Sequence, residues 1–242
     1  MTNNPKHPKD FYYIYGKHTV LAALKNPKRH IQNILCTEEI FSSNNNLLSK
    51  FPCEITKMDS FTRLFGLNQN HQGIAAYVKT IFLNNIVDIN TTDPNCKIAV
   101  LDQVTDPQNI GAIIRSAASF NITAIILPTD NTPNENATIA KTASGVLELV
   151  QIIKVTNLRW ALEYLKKQNF WIVGLDSNAT QFLHPKILTG KVVIVLGSED
   201  KGIRRLVKKT CDSLTKIAIS NQIDSLNVSN AAAIVFYLSS LQ

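Results

Sequence analysis

Apolar and polar positions follow two regimes along the chain. From Lys97 onward, short runs of β-branched and other apolar residues alternate with stretches whose apolar residues recur every three or four positions. The runs predict strands at Ile98–Val104, Ala124–Leu127, Val150–Val155, Trp171–Leu175, Val192–Leu196 and Leu214–Ile219. The periodic stretches predict helices near Ile110–Phe120, Leu158–Gln168, Ile203–Thr210 and Val228–Leu241. Uninterrupted runs such as VVIVL suit strands covered on both faces, so an α/β fold around a parallel sheet follows.

The first third is patterned differently. Tyr13–Lys25 reads as a turn at Gly16 followed by a helix carrying Val20, Leu21 and Leu24. Strands are expected at Ile31–Cys36, Cys53–Met58 and Ile74–Val78, with helix at Leu47–Phe51 and Phe61–Phe65. This is a compact α/β unit close to the smallest size that folds alone. Phe82–Cys96, rich in Asn, Thr and Asp and without periodicity, reads as a linker. The expected division is a domain over 11–80, a linker over 81–96 and a second domain over 97–242.

Composition narrows the class. At 242 residues and 45% hydrophobic, the chain can bury a substantial core, and no apolar run approaches the ~18 residues of a membrane span. Cys36, Cys53, Cys96 and Cys211 are far apart in sequence, with no CxxC and no Cys/His cluster. Neither a metal site nor a disulfide framework is expected, and a reducing cytoplasm fits best. Lys+Arg outnumber Asp+Glu by 25 to 18, for a net charge of +7. The excess gathers at the start (Lys6, Lys9, Lys17, Lys25, Lys28, Arg29) and in Lys201, Arg204, Arg205, Lys208 and Lys209. Such runs suit a polyanionic partner, although solvated helix faces look the same. None of the nine glycines forms a G-x-G pair, and neither a phosphate-binding P-loop nor a G-x-S-x-G elbow is present.

Three polar motifs interrupt the apolar pattern. In LDQVTDPQNIGAIIRSAASF, Asn109 opens the helix as a cap or as a functional group. Arg115 is the only charge between Asp106 and Asp130; set among Ile113, Ile114, Ala117 and Ala118, it calls for an anionic partner. That partner is either a ligand phosphate or carboxylate, or a protein acid such as Glu199. GSEDKG (Gly197–Gly202) follows a predicted strand, where a glycine lets a ligand lie against the backbone and Ser198 or Asp200 can cap the next helix. In SLNVSNAAAIVFYL, Ser225 reads as the cap, with Leu226 and Asn227 in the first turn of a nearly all-apolar helix. That helix suits a subunit interface.

The order and wording of NIGAIIRSAASF, GSEDKG and SLNVSNAAAIVFY resemble the SpoU/TrmH family of RNA ribose 2′-O-methyltransferases. YGKHTVLAALKN and HQGIAAYV are similar to the start and end of the small RNA-binding domain of one family branch, itself like certain ribosomal proteins, and TASGVLELV looks like a family segment. The resemblance implies a SPOUT-type trefoil-knotted catalytic domain, a homodimer and S-adenosylmethionine as cofactor. Backbone near Gly197, Ile217 and Leu226 would hold that cofactor. Asn109, Arg115, Glu199, Ser225 and Asn227 would form the catalytic constellation, with Arg115 completing the neighbouring subunit's site. The implied reaction is methylation of a guanosine ribose in large-subunit (23S) ribosomal RNA. A tRNA substrate and a non-catalytic ribosome-assembly factor are the alternatives. Ala218 and Asn221 stand where the family often has proline and glycine, which implies a differently shaped cofactor loop.

Overall fold

A computed structural model describes residues 10–67, 69–83 and 85–241. Lys6 and Lys9 of the basic start lie outside the described residues. The chain forms two compact units: residues up to Ile81 together with Glu135–Glu148, and Phe82–Asn134 together with Leu149 onward.

The first unit has the order β1 (Phe11–Tyr15), α1 (Lys17–Lys25), β2 (Ile31–Cys36), α2 (Glu38–Ser43), α3 (Asn45–Leu48), β3 (Cys53–Ile55), α4 (Met58–Phe65) and β4 (Ile74–Lys79). Its sheet runs β1-β4-β2-β3, antiparallel except for the β2–β3 pair. β1 was not expected, because FYYIY is apolar on both faces and shows no alternation: Ile14 is fully buried while Tyr13 and Tyr15 pack on Phe65. The later segment Glu135–Glu148 completes this unit. It holds α6 (named in chain order below) and carries two carboxylates that close on the buried guanidinium of Arg29, Glu135 at 2.6 Å and Glu148 at 2.5 Å. Burial disfavours the Arg29 charge, but Glu135 and Glu148 outweigh it and raise the pKa above its ordinary value. Thr142–Glu148 of TASGVLELV, whose motif context suggested the second domain, thus pack in the first.

The second unit continues with β5 (Lys97–Asp102), α5 (Pro107–Ser119) and β6 (Ala124–Pro128); α6 (Ala137–Thr142) follows in the chain. Next come β7 (Gln151–Val155), α7 (Leu158–Lys167), β8 (Trp171–Leu175), β9 (Gln181–Phe182), β10 (Val192–Gly197), α8 (Arg205–Thr210), β11 (Ser213–Lys216) and α9 (Val228–Ser240). Its sheet, β7-β6-β5-β10-β8-β11-β9, is parallel throughout. Every residue of β5 and β6 is buried, as expected of strands covered on both faces. α5 packs on α9, and α7 on α8.

The segment expected to be a linker belongs to this unit from Phe82 on. Leu83 bridges to Ile153 beside β7, and Ile86, Ile89 and Cys96 are buried in the core. Its many polar residues masked the widely spaced apolar anchors. No helix among the described residues is long and apolar enough to cross a membrane.

Candidate active site

The central strands β5 and β10 run in register to their carboxyl ends, where Asp102 lies opposite Gly197. This is the edge at which parallel α/β sheets present ligand-binding loops. Beyond β5, Asp106 caps α5 by accepting the Gln108 N–H at 2.9 Å, and Pro107 occupies the first turn. Asn109 is therefore not the cap, and its side chain is left for other partners.

Beyond β10 the chain folds back on itself, with the Gly202 N–H donating to the Ser198 carbonyl at 2.8 Å. Gly197 has no room for a side chain: an added Cβ would lie 2.2 Å from the Gly202 carbonyl carbon. The turn's far end is held by the fully buried carboxylate of Asp102, which accepts the backbone N–H of Arg204 at 2.8 Å and its Nε–H at 2.7 Å. α8 begins only at Arg205 and has no side-chain cap; neither Ser198 nor Asp200 fills that role. Ser198 Oγ accepts the Lys201 N–H inside the turn instead.

Glu199, at the tip of this turn, gathers the other motifs. Its Oε1 accepts from Asn227 Nδ2 at 2.6 Å, from Asn109 Nδ2 at 3.2 Å and from the Val228 N–H at 3.2 Å. Asn227 Nδ2 also donates to Asn109 Oδ1 at 3.1 Å. Asn227 itself caps α9, its Oδ1 accepting from the Ser229 N–H and hydroxyl. Ser225, expected as the cap, lies two residues earlier in an exposed loop. One carboxylate oxygen thus joins three segments far apart in sequence.

Arg115 stands apart from this cluster. It is exposed on α5, six residues past Asn109 and so about 9 Å along the axis. Its guanidinium makes no ion pair with Glu199 or any other acid among the described residues. The helix buries Ile113, Ile114 and Ala117 on one side and leaves Arg115 on the other.

Next to Glu199 opens a cavity of about 560 Å³, lined by Gly197, Ile217, Ser225, Leu226 and Val228. All three residues expected to hold a cofactor reach it. Its far wall carries Asp176, ion-paired with Lys208, and Phe182 beneath the Lys216 ammonium at 5.2 Å. Burial pushes the Asp176 carboxyl up, but the Lys208 ammonium and the Asn178 N–H outweigh it and hold the group below its usual range. β11 ends at Lys216 rather than Ile219, which leaves Ile217 in the loop that lines the cavity. Asp102 and Asp176 were not anticipated, and Arg204 and Lys208 were expected only as members of a basic run, not as partners of buried or cavity-wall acids.

Residues 97–237 match the SpoU rRNA Methylase family, and residues 13–81 match the RNA 2′-O ribose methyltransferase substrate-binding family. A 23S rRNA (guanosine-2′-O-)-methyltransferase of Vibrio vulnificus is 36% identical over 233 residues, covering 93% of this chain and 94% of its own. An enzyme of the same name from Pseudomonas putida is 32% identical, with the same coverage of both chains. Among solved structures, the SpoU methyltransferase AviRb of Streptomyces viridochromogenes, in complex with AdoMet, superposes with a TM-score of 0.82 at 18% identity. The match covers 96% of this chain and 90% of that one.

Proposed function

The chain belongs to the SpoU rRNA methylase family, and we propose that it transfers a methyl group from S-adenosylmethionine to the ribose 2′-hydroxyl of a guanosine in 23S ribosomal RNA. The observation that carries this reading is the convergence of Asn109, Glu199 and Asn227 beside a cavity reached by Gly197, Ile217 and Leu226. The curated enzymes of that name match nearly end to end at up to 37% identity.

The cavity suits the cofactor. Its volume falls within the ~300–1,000 Å³ range of small-molecule sites. Leu196, Ile217 and Leu226 offer apolar contact for a purine, and the absence of a Cβ at Gly197 keeps the turn backbone tight against the cavity. When bound, S-adenosylmethionine supplies an electrophilic methyl on a sulfonium, chemistry that needs no metal. The protein's part is to hold the nucleotide in line and to manage the hydroxyl proton and the developing charge. Asn109 and Asn227, fixed by Glu199, orient the ribose, and Ser225 at the cavity wall positions it or a water. Arg115 has no acceptor lone pair while protonated and acts as the cation that clamps the adjoining phosphate and stabilises the forming alkoxide.

Arg115 reaches a reacting nucleotide in the neighbouring subunit of a homodimer. Supporting this, α9 leaves Ile234 and Tyr237 exposed, with exposed Leu241 just beyond its end and Tyr237 edge-on to Phe120 at the end of α5. The first unit grips the RNA, and the enzyme works in the cytoplasm.

The test mixes purified protein with methyl-labelled S-adenosylmethionine and, separately, unmodified ribosomal RNA and tRNA, followed by nucleoside mass spectrometry. Labelled 2′-O-methylguanosine from ribosomal RNA alone is the expected result. Label in tRNA overturns the substrate, and loss of both transfer and cofactor binding overturns the enzyme.

A further inference from the structure

We infer that the start of α8 and the turn before it form an RNA-backbone contact surface, with Lys201, Arg204, Arg205 and Lys209 receiving phosphates next to the active site. The inference takes its ligand class from the proposed function but stands on separate residues.

From Lys201 to Cys211 the chain carries five cations and no acid. Two of the five are tied to carboxylates, in different ways. Lys208 closes on Asp176 at the cavity wall, which balances its charge. Arg204 uses only its backbone N–H and Nε on the buried Asp102. A guanidinium has five N–H donors in one rigid plane. The four on the terminal nitrogens of Arg204 have no partner among the described residues, and the side chain is 46% exposed. Asp102 therefore holds the guanidinium in one orientation while its fork stays open. That is the arrangement that suits bidentate capture of a phosphate, with part of the ordering entropy already lost before binding.

The other three cations extend the surface. Lys201 is exposed within the Ser198–Gly202 turn, two residues from Glu199. Arg205 and Lys209 are exposed and four residues apart, so they share one face of α8. None of the three forms an ion pair among the described residues. A merely solvated helix face needs no cation oriented by a buried acid, whereas a polyanion passing the Glu199 turn does. Unpaired cations, a preset fork and proximity to the Asn109–Glu199–Asn227 cluster together point to the RNA backbone.

The test is equilibrium binding of the full chain to an unmodified large-subunit ribosomal RNA transcript across a salt series, with S-adenosylmethionine affinity measured in parallel to check the site. Lys201→Gln/Arg205→Gln/Lys209→Gln is expected to weaken RNA binding at least ~10-fold and to reduce the slope of log K against log salt by about 2, at ~0.7–0.9 per phosphate contact. Lys201 also lines the cofactor cavity, so S-adenosylmethionine affinity is read on Arg205→Gln/Lys209→Gln, in which it stays unchanged. Arg204→Lys, which keeps the charge but not the fork, is expected to weaken RNA binding as well. Arg159→Gln, which removes a cation paired with Glu163 on α7, serves as the control for charge loss alone and leaves the slope unchanged. A triple variant with wild-type slope and affinity overturns the inference, and so does an equal effect from Arg159→Gln. A wild-type chain that does not bind the transcript overturns the surface and the RNA reading together. One that binds but transfers no methyl overturns only the proposed reaction.

Discussion

Asn227 Nδ2 donates to Glu199 Oε1 at 2.6 Å, joining the cap of α9 to the turn after β10. The same oxygen holds Asn109, so Glu199 sets the mutual placement of two amides from opposite ends of the second unit. Glu199→Ala is expected to lower kcat for methyl transfer about 100-fold, because a misplacement near 1 Å is enough to lose that much. Glu199→Gln keeps one acceptor oxygen and should recover part of the loss. Equal turnover in wild type and Glu199→Ala would remove this carboxylate from the site.

Arg115 is exposed and unpaired among the described residues, so its side chain contributes little to the fold of a single chain. Arg115→Ala is expected to shift stability by no more than about 0.5 kcal/mol, while methyl transfer is abolished. Thermal melting and single-turnover assays on the same preparation read both. Near-normal turnover takes Arg115 out of the mechanism.

Gly197 has backbone where a side chain would go, 2.2 Å from its nearest atom. Gly197→Ala must push the turn away from β10, and overpacking of that kind costs about 1–3 kcal/mol. Calorimetric titration with S-adenosylmethionine should show affinity reduced at least tenfold. Wild-type affinity in a variant that melts normally would mean the turn does not shape the cofactor cavity.

Arg29 is fully buried between Glu135 and Glu148, and Tyr12 donates to the same Glu135 oxygen at 2.6 Å. Arg29→Met leaves two buried carboxylates without their cation and is expected to destabilise the first unit by about 3–5 kcal/mol. For the same reason, a fragment ending at residue 81 lacks Glu135, Ile139 and Leu147 and should not give the cooperative melt of the first unit. Urea unfolding followed by probes in each unit tests both expectations. A fully cooperative 1–81 fragment would show that the later segment is dispensable.

His71 stacks on Phe61 with centroids 4.8 Å apart, and its Nδ1 accepts the Gly73 N–H. Burial, then the Lys141 charge, lowers its pKa below the ordinary value of 6.5. Above that value the ring is neutral in both folded and unfolded chains. As pH falls through about 6.5, the unfolded chain takes up the proton first, so stability declines until the folded pKa is reached. Melting curves between about pH 7.5 and 5 should show this decline, and His71→Phe should flatten it. An identical pH dependence in the variant would assign the effect elsewhere.

Much of the second unit was legible because its strands are buried on both faces. VVIVL and AIILP are apolar without a break over five residues, and runs that short and that rich in β-branched residues suit covered parallel strands. Asn109, Glu199 and Asn227 were legible as polar groups bounding apolar runs. Their local roles were less so. Asp106, Asn109, Ser225 and Asn227 can each cap a helix, and backbone geometry decided among them. Aromatic β1 and the polar stretch around Ile86 and Ile89 failed as patterns because neither alternates in a way that tells strand from turn or anchor from linker.

By itself, the sequence determined the longer strands and helices of the second unit and the three polar motifs, since side-chain period and residue type are local properties. Only the tertiary structure decided that Glu135–Glu148 completes the first unit, that Asp102 orients Arg204, and that Arg115 faces outward. Each of these depends on contacts between residues far apart in sequence. A buried charge states that it needs a partner, but packing alone chooses which one.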